Sequence, residues 1–114
     1  MPCIEAKLSL KLTDGQKQNL QQELTTVVSD AFSKPKQYIM VNLADAQTLY
    51  LGENQLDKGA YIAISLLGAV AKPACQKATQ EICRLLQKDF GIAGADVYVT
   101  YHPVELWGWN GSMF

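Results

Sequence analysis

Proline at position 2, directly after Met1, is the residue whose chemistry sets the terms for the rest of the chain. A small second residue is the usual condition for removal of an initiator methionine. With Met1 gone, the chain begins with a secondary amine, which no other residue type supplies. An α-amino group ordinarily titrates at about 7.7–8.0. Burial or a neighbouring cation disfavours its protonated form and lowers that value. A neutral amine poised near working pH can act as a general base. As a bare dipeptide, Met1-Pro2 reads more readily as an ordinary chain start.

Other reactive side chains are sparse. Cys75 and Cys83 fall eight residues apart on one expected helix, a rise of about 12 Å at 1.5 Å per residue. A disulfide needs Cα atoms within about 7 Å, so this pair cannot close, and Cys3 has no evident mate. No Cys-x-x-Cys occurs, and His102 is the sole histidine, so no zinc set assembles at ligand spacing. The expectation is three reduced thiols, with Cys3 the one nearest chemistry, and neither metal nor cofactor.

The bulk properties bound the partners. A chain of 114 residues, 48% hydrophobic and 18% charged, suits one domain over residues 1–114 that buries its own core and associates with copies of itself. A net charge of −1 offers no footprint for nucleic acid or an anionic membrane. The longest apolar run, Ala60 to Ala71, is broken by Ser65 and Gly68 and is too short to span a bilayer. Nothing near Met1 has the order of a secretory leader, so the reading is cytoplasmic, with export by an unconventional route left open.

The elements that must position Pro2 follow from periodicity. Ile4, Ala6, Leu8 and Leu10 alternate with Glu5, Lys7 and Ser9, a half-buried strand. Thr13 or Asp14 caps a helix whose face carries Leu20, Leu24, Val27, Val28, Ala31 and Phe32, and Pro35 ends it. Tyr38 to Leu43 reads as a second strand, and Thr48 to Leu51 as a short one before a polar loop at Gly52, Glu53 and Asn54. Ala60 to Leu67 is apolar on both faces, as a central strand is. Pro73 starts a second helix with Ala74, Ala78, Ile82, Leu85, Leu86 and Phe90 inward, and Gly91 closes it. Val97 to Tyr101 is the last full strand, and Asn110-Gly111 marks a hairpin in the tail. Asn110-Gly111-Ser112 also fits a glycosylation sequon, but without a leader the turn reading prevails.

The fold class is therefore α+β: duplicated β-α-β units forming a four-stranded mixed sheet with two helices on one face. The opposite face, with Tyr61, Ala63 and Ser65, needs a cover. Symmetric association supplies one at little cost to a small domain.

Three segments, Met1-Pro2-Cys3, Ser33-Lys34-Pro35-Lys36-Gln37-Tyr38-Ile39-Met40-Val41 and Trp107-Gly108-Trp109-Asn110-Gly111-Ser112-Met113-Phe114, resemble the macrophage migration inhibitory factor family of the tautomerase superfamily. The likeness runs nearly the full length. It implies a homotrimeric, barrel-like assembly with sheets around a central channel, sites at subunit interfaces, and the N-terminal proline as catalytic base. By that resemblance Pro2 is the base and Lys34 the cation beside it. Leu66 holds a substrate-contacting position through its backbone N–H, and Tyr98 enters from the neighbouring subunit. Tyr38, Trp109 and Phe114 form the aromatic wall. Taken alone, Lys34 reads as a solvated lysine at a helix end, Tyr98 as strand packing and His102 as a surface residue.

The sequence departs from the family pattern in places. Thr100 stands where an asparagine is usual, with shorter reach. Ser65-Leu66-Leu67-Gly68-Ala69 replaces a Ser-Ile-Gly-Gly-like turn, and bulky Trp107 replaces a smaller aliphatic residue at the pocket mouth. The missing Cys-x-x-Cys removes support for a thiol oxidoreductase activity. The resemblance implies keto–enol tautomerisation of a small aromatic α-keto acid such as phenylpyruvate, with Lys34 gripping the carboxylate. The alternative is a cytokine-like binding protein, recognised by a receptor or an intracellular partner, whose pocket is weak or vestigial.

Overall fold

In the computed structural model, which describes residues 1–114, the chain starts directly on a strand. This strand, β1 (Pro2–Leu8), buries Pro2, Ile4, Ala6 and Leu8 and turns Cys3, Glu5 and Lys7 to the other face. Helix α1 (Asp14–Phe32) opens with a reciprocal cap: the Gln16 N–H donates to Thr13 Oγ1, and the Thr13 N–H donates to the Gln16 side-chain oxygen. Such a cap contributes about 1 kcal/mol. Leu20, Leu24 and Val28 are its fully buried stripe.

The second strand begins later than its apolar pattern suggests. Lys36–Tyr38 form a 3-10 turn, and β2 spans Met40–Ala44. The cause is local: Tyr38 N–H and Ile39 N–H donate to the Pro35 and Lys36 carbonyls, so they are not available to a sheet ladder. The expected short strand near Thr48 is half of a small hairpin, β3 (Tyr50–Leu51) with β4 (Asn54–Gln55). Gly52 and Glu53 both take positive φ, 55° and 70°, as a tight primed turn requires.

Strand β5 (Ala60–Leu67) is central, and α2 (Lys72–Phe90) carries Pro73 in its first turn and ends at Gly91 in the left-handed region. Ala78, Ile82, Leu85, Leu86 and Phe90 face inward. Strand β6 runs Val97–Val104, three residues beyond the expected end at Tyr101. Pro103 would argue against such an extension in an inner strand. Here β6 is the sheet's edge, where a missing N–H costs no ladder bond. The tail closes as β7 (Gly108–Trp109) and β8 (Ser112–Met113) around Asn110-Gly111.

The sheet order is β2-β1-β5-β6, with β1–β2 and β5–β6 parallel and β1–β5 antiparallel. Each β-α-β unit thus contributes one parallel pair, and the two units meet at the centre. Both helices pack on one face over Ile4, Ala6, Leu8, Ile62, Ile64 and Leu66. Fully burying each of these leucines and isoleucines stabilises by about 1.5–3 kcal/mol. The other face carries Glu5, Lys7, Met40, Tyr98 and His102 exposed. No helix is long and apolar enough to cross a membrane.

Candidate active site

The N-terminus is tied to the centre of the sheet. Pro2 stands opposite Leu66 in the antiparallel register, and Leu67 N–H donates to the Met1 carbonyl at 3.1 Å. Pro2 is completely buried. The terminal amine, carried on Met1 in the full chain, has its pKa lowered from the ordinary 8.0, first by burial and then by the positive charge of Lys34. Both causes disfavour an ammonium at this place. The Pro2 nitrogen lies one residue deeper, where burial is greater.

Lys34 reaches this position because α1 ends abruptly. Ser33 adopts φ 54° and ψ 49°, a left-handed turn that redirects the chain. Lys34 then sits between that turn and Pro35, half-buried, on a recess of about 230 Å³ that it shares with Phe32, Leu66, Leu67 and Val70. Amine, lysine and the end of β5 are therefore neighbours, although they lie far apart in sequence. Leu66 itself points its side chain into the core, and its N–H faces β6, where Leu66 pairs with Pro103. The expected contact through that N–H is therefore not available, because the sheet ladder already uses it.

Three expected wall residues come together. Tyr38 meets Trp109 edge to face with ring centroids 5.7 Å apart, and Trp109 stacks on Phe114 at 6.1 Å. Edge-to-face and offset-stacked geometries are the favoured ones for aromatic pairs. The tail hairpin makes this cluster, since Phe114 N–H donates to the Trp107 carbonyl at 3.0 Å and folds the tail back on itself. Trp107 is half-buried at the base of that hairpin.

Tyr98 and Thr100 are not brought to Pro2 within one chain. Tyr98 pairs with Tyr61 in the β5–β6 register, and both project to the face away from the helices. Thr100 Oγ1 is 3.2 Å from the Tyr61 hydroxyl and 2.8 Å from His102 Nε2. This Tyr61–Thr100–His102 chain is absent from the sequence reading. Its one available signal was the alternation of 98, 100 and 102, which the early stop assigned to β6 concealed. A second feature passed over is Ser29, whose hydroxyl donates to the Lys34 carbonyl at 2.6 Å.

Cys3 lies opposite Ser65 on the open face, its thiol pushed up in pKa by burial and then by Glu5. It is thus held in the unreactive protonated form, as burial also holds Cys75 and Cys83. His, Cys, Asp and Glu side chains nowhere converge in threes as metal ligands do. A separate groove of about 440 Å³ between α1 and α2 is lined by Glu23, Asp30, Glu81 and Arg84 among others, and none of the expected site residues reaches it.

The single chain thus presents a terminal amine beside a cation and a cluster of three exposed aromatic rings. Comparison with known proteins places the chain in a family and a fold. The family profile described as Macrophage migration inhibitory factor (MIF) matches residues 1–114. The macrophage migration inhibitory factor of Xenopus tropicalis is 29% identical over 104 residues, covering 89% of each chain. The crystal structure of Leishmania major MIF2 superimposes with a TM-score of 0.92 at 24% identity, over 100% of this chain and 97% of that one. A macrophage migration inhibitory factor homologue from Prochlorococcus marinus gives 0.87 at 25% identity, covering 98% of each.

Proposed function

Since the chain belongs to the macrophage migration inhibitory factor family, we propose that it is a keto–enol tautomerase of small aromatic α-keto acids, acting through Pro2 once Met1 is removed. The observation that carries this reading is geometric: Pro2 is buried at the end of the β1–β5 pair, opposite Leu66, and Lys34 lines the recess at that same end of β5. The neutral Pro2 nitrogen takes the proton from the carbon next to the carbonyl. The C–H pair moves into the new C=C bond, and charge collects on the carbonyl oxygen. Return of a proton to that oxygen gives the enol, and the reverse sequence regenerates the ketone. Donors aimed at the developing oxyanion accelerate such a step.

Lys34 holds the carboxylate as a point charge, and Tyr38, Trp109 and Phe114 pack on the aromatic ring. Trp107 narrows the mouth. Tyr98 and Thr100 complete the pocket from a neighbouring copy in a homotrimer, which also covers the open sheet face. Three unpaired cysteines favour a reducing, cytoplasmic setting.

One observation favours a second reading. The Thr100 hydroxyl is already engaged by Tyr61 and His102, which weakens its claim on substrate. A binding protein with a residual pocket fits that feature. Phenylpyruvate tautomerisation, measured on protein whose N-terminus is verified by intact mass, separates the two readings.

A further inference from the structure

Lys34 is held by one residue of the helix before it. The Ser29 carbonyl accepts from Ser33 N–H and from Lys34 N–H, the latter at 3.1 Å. The Ser29 hydroxyl donates to the Lys34 carbonyl at 2.6 Å. Both backbone polar groups of Lys34 are thus bound to residue 29. The carbonyl bond is a long-reach contact, i to i+5, made across the left-handed turn at Ser33 rather than along the helix.

The turn itself needs such a fastening. Ser33 takes φ 54° without being glycine, a conformation disfavoured for residues with a side chain. Helix ends commonly satisfy their last carbonyls by backbone bonds alone. The Ser29 hydroxyl adds a bond that secures the first residue beyond the turn, and that residue is the one whose charge bears on the terminal amine. Pro35, at φ −62°, stiffens the other side.

We propose that Ser29 is a positioning residue for Lys34, fixing the lysine's backbone so that its ammonium stands at the substrate carboxylate. The proposal rests on the tautomerase reading for its catalytic consequence, but not for its structural content. Loss of one neutral hydrogen bond corresponds to about a fivefold change in an equilibrium. Ser29→Ala therefore raises KM for phenylpyruvate by about that factor, while kcat changes less. Ser29→Thr, which keeps the hydroxyl, restores the wild-type KM.

Two controls distinguish positioning from general damage. The methyl ester of phenylpyruvate lacks the carboxylate, and at pH values above the titration of the amine its turnover by Ser29→Ala matches wild type. The terminal amine, titrated by NMR in mass-verified, labelled protein, moves to a higher midpoint in Ser29→Ala, because a displaced Lys34 lowers it less. Ser29→Cys, close in shape but a weak donor, replaces the alanine variant if that one folds poorly. An unchanged KM for the acid, or equal losses for acid and ester, overturns the proposal. If wild-type protein turns over neither compound, the tautomerase reading has failed. The amine titration still decides on Ser29, and an unmoved midpoint in Ser29→Ala refutes its role.

Discussion

Pro2 and Leu66 face each other on the last rung of the antiparallel β1–β5 pair. Tyr98, in contrast, pairs with Tyr61, five positions back along β5, which is about 16 Å at strand rise. Pro2 points toward the helices and Tyr98 toward the open face. No single chain can therefore bring Tyr98 to the amine.

Subunit mixing tests that relationship. Pro2→Ala and Tyr98→Ala subunits are each expected to be poorly active alone. Co-refolded in equal amounts, they are expected to restore about a quarter of wild-type sites, since one intact residue comes from each partner across a symmetric interface. Light scattering checks that the assembly is a trimer at micromolar concentration. A monomer with full activity contradicts the shared site.

Lys34→Ala is expected to raise KM for phenylpyruvate about tenfold, in line with loss of a charged hydrogen bond, and to affect the methyl ester less. The same variant shifts the acidic limb of kcat/KM. Activity needs the neutral amine, so it rises as pH passes upward through the amine's pKa. Lys34 lowers the pKa of the Met1 amine and is expected to act in the same sense on the Pro2 amine, so its removal moves the limb to higher pH. Burial, the larger cause, remains, so the limb stops short of the ordinary value. A pH profile of both proteins reads the displacement directly.

Trp107 sets a steric limit. Its carbonyl anchors Phe114, and the residue is half-buried. Planar monocyclic arylpyruvates are expected to be better substrates than bicyclic, dopachrome-like keto compounds. Trp107→Val shifts the ratio of kcat/KM values toward the larger compounds by about tenfold, a range typical of reshaped apolar pockets. An unaltered ratio removes the steric argument.

Much of the scaffold was legible because its signals are local. Period-two alternation marked β1, the helical stripe of Leu20, Leu24 and Val28 marked α1, and the doubly apolar run marked β5. Boundaries were less so where one residue's backbone overrode the pattern. Pro35 draws Tyr38 and Ile39 into a turn, and Pro103 stays in β6 only because β6 is an edge. The site was harder to read. Nothing in spacing alone brings residue 34 to residue 2; that proximity needs the β-α-β crossover and the left-handed turn at Ser33. The Tyr61–Thr100–His102 chain depends on the β5–β6 register, which no local pattern encodes.

Away from the site, Glu23 faces Asp89 between the two helices. Its buried Oε2 has no donor when both carboxyls are ionised. A hydrogen bond shared with Asp89, then burial and like charge, raise the Glu23 pKa above the ordinary 4.5. A raised folded-state value means the native state binds the extra proton, so this contribution is full at low pH and is lost as pH rises through the raised pKa. Glu23→Gln supplies a permanent donor. At neutral pH it is expected to raise Tm by about 2–4 °C, less at high salt. Thermal melts at acidic and neutral pH check that the gain appears only at the latter.

The central claim, that the Pro2 nitrogen is the base, turns on Met1. With Met1 attached, that nitrogen is an amide without a basic lone pair, although every side chain is in place. Phenylpyruvate turnover is therefore measured on preparations whose processed fraction is known from intact mass, together with a variant carrying an alanine inserted between Met1 and Pro2. The expected result is turnover proportional to the processed fraction, some residual rate in Pro2→Gly through its primary amine, and none in the insertion variant despite an intact fold. Turnover by a wholly Met1-retained preparation at the rate of the processed form would contradict the mechanism and require a different base.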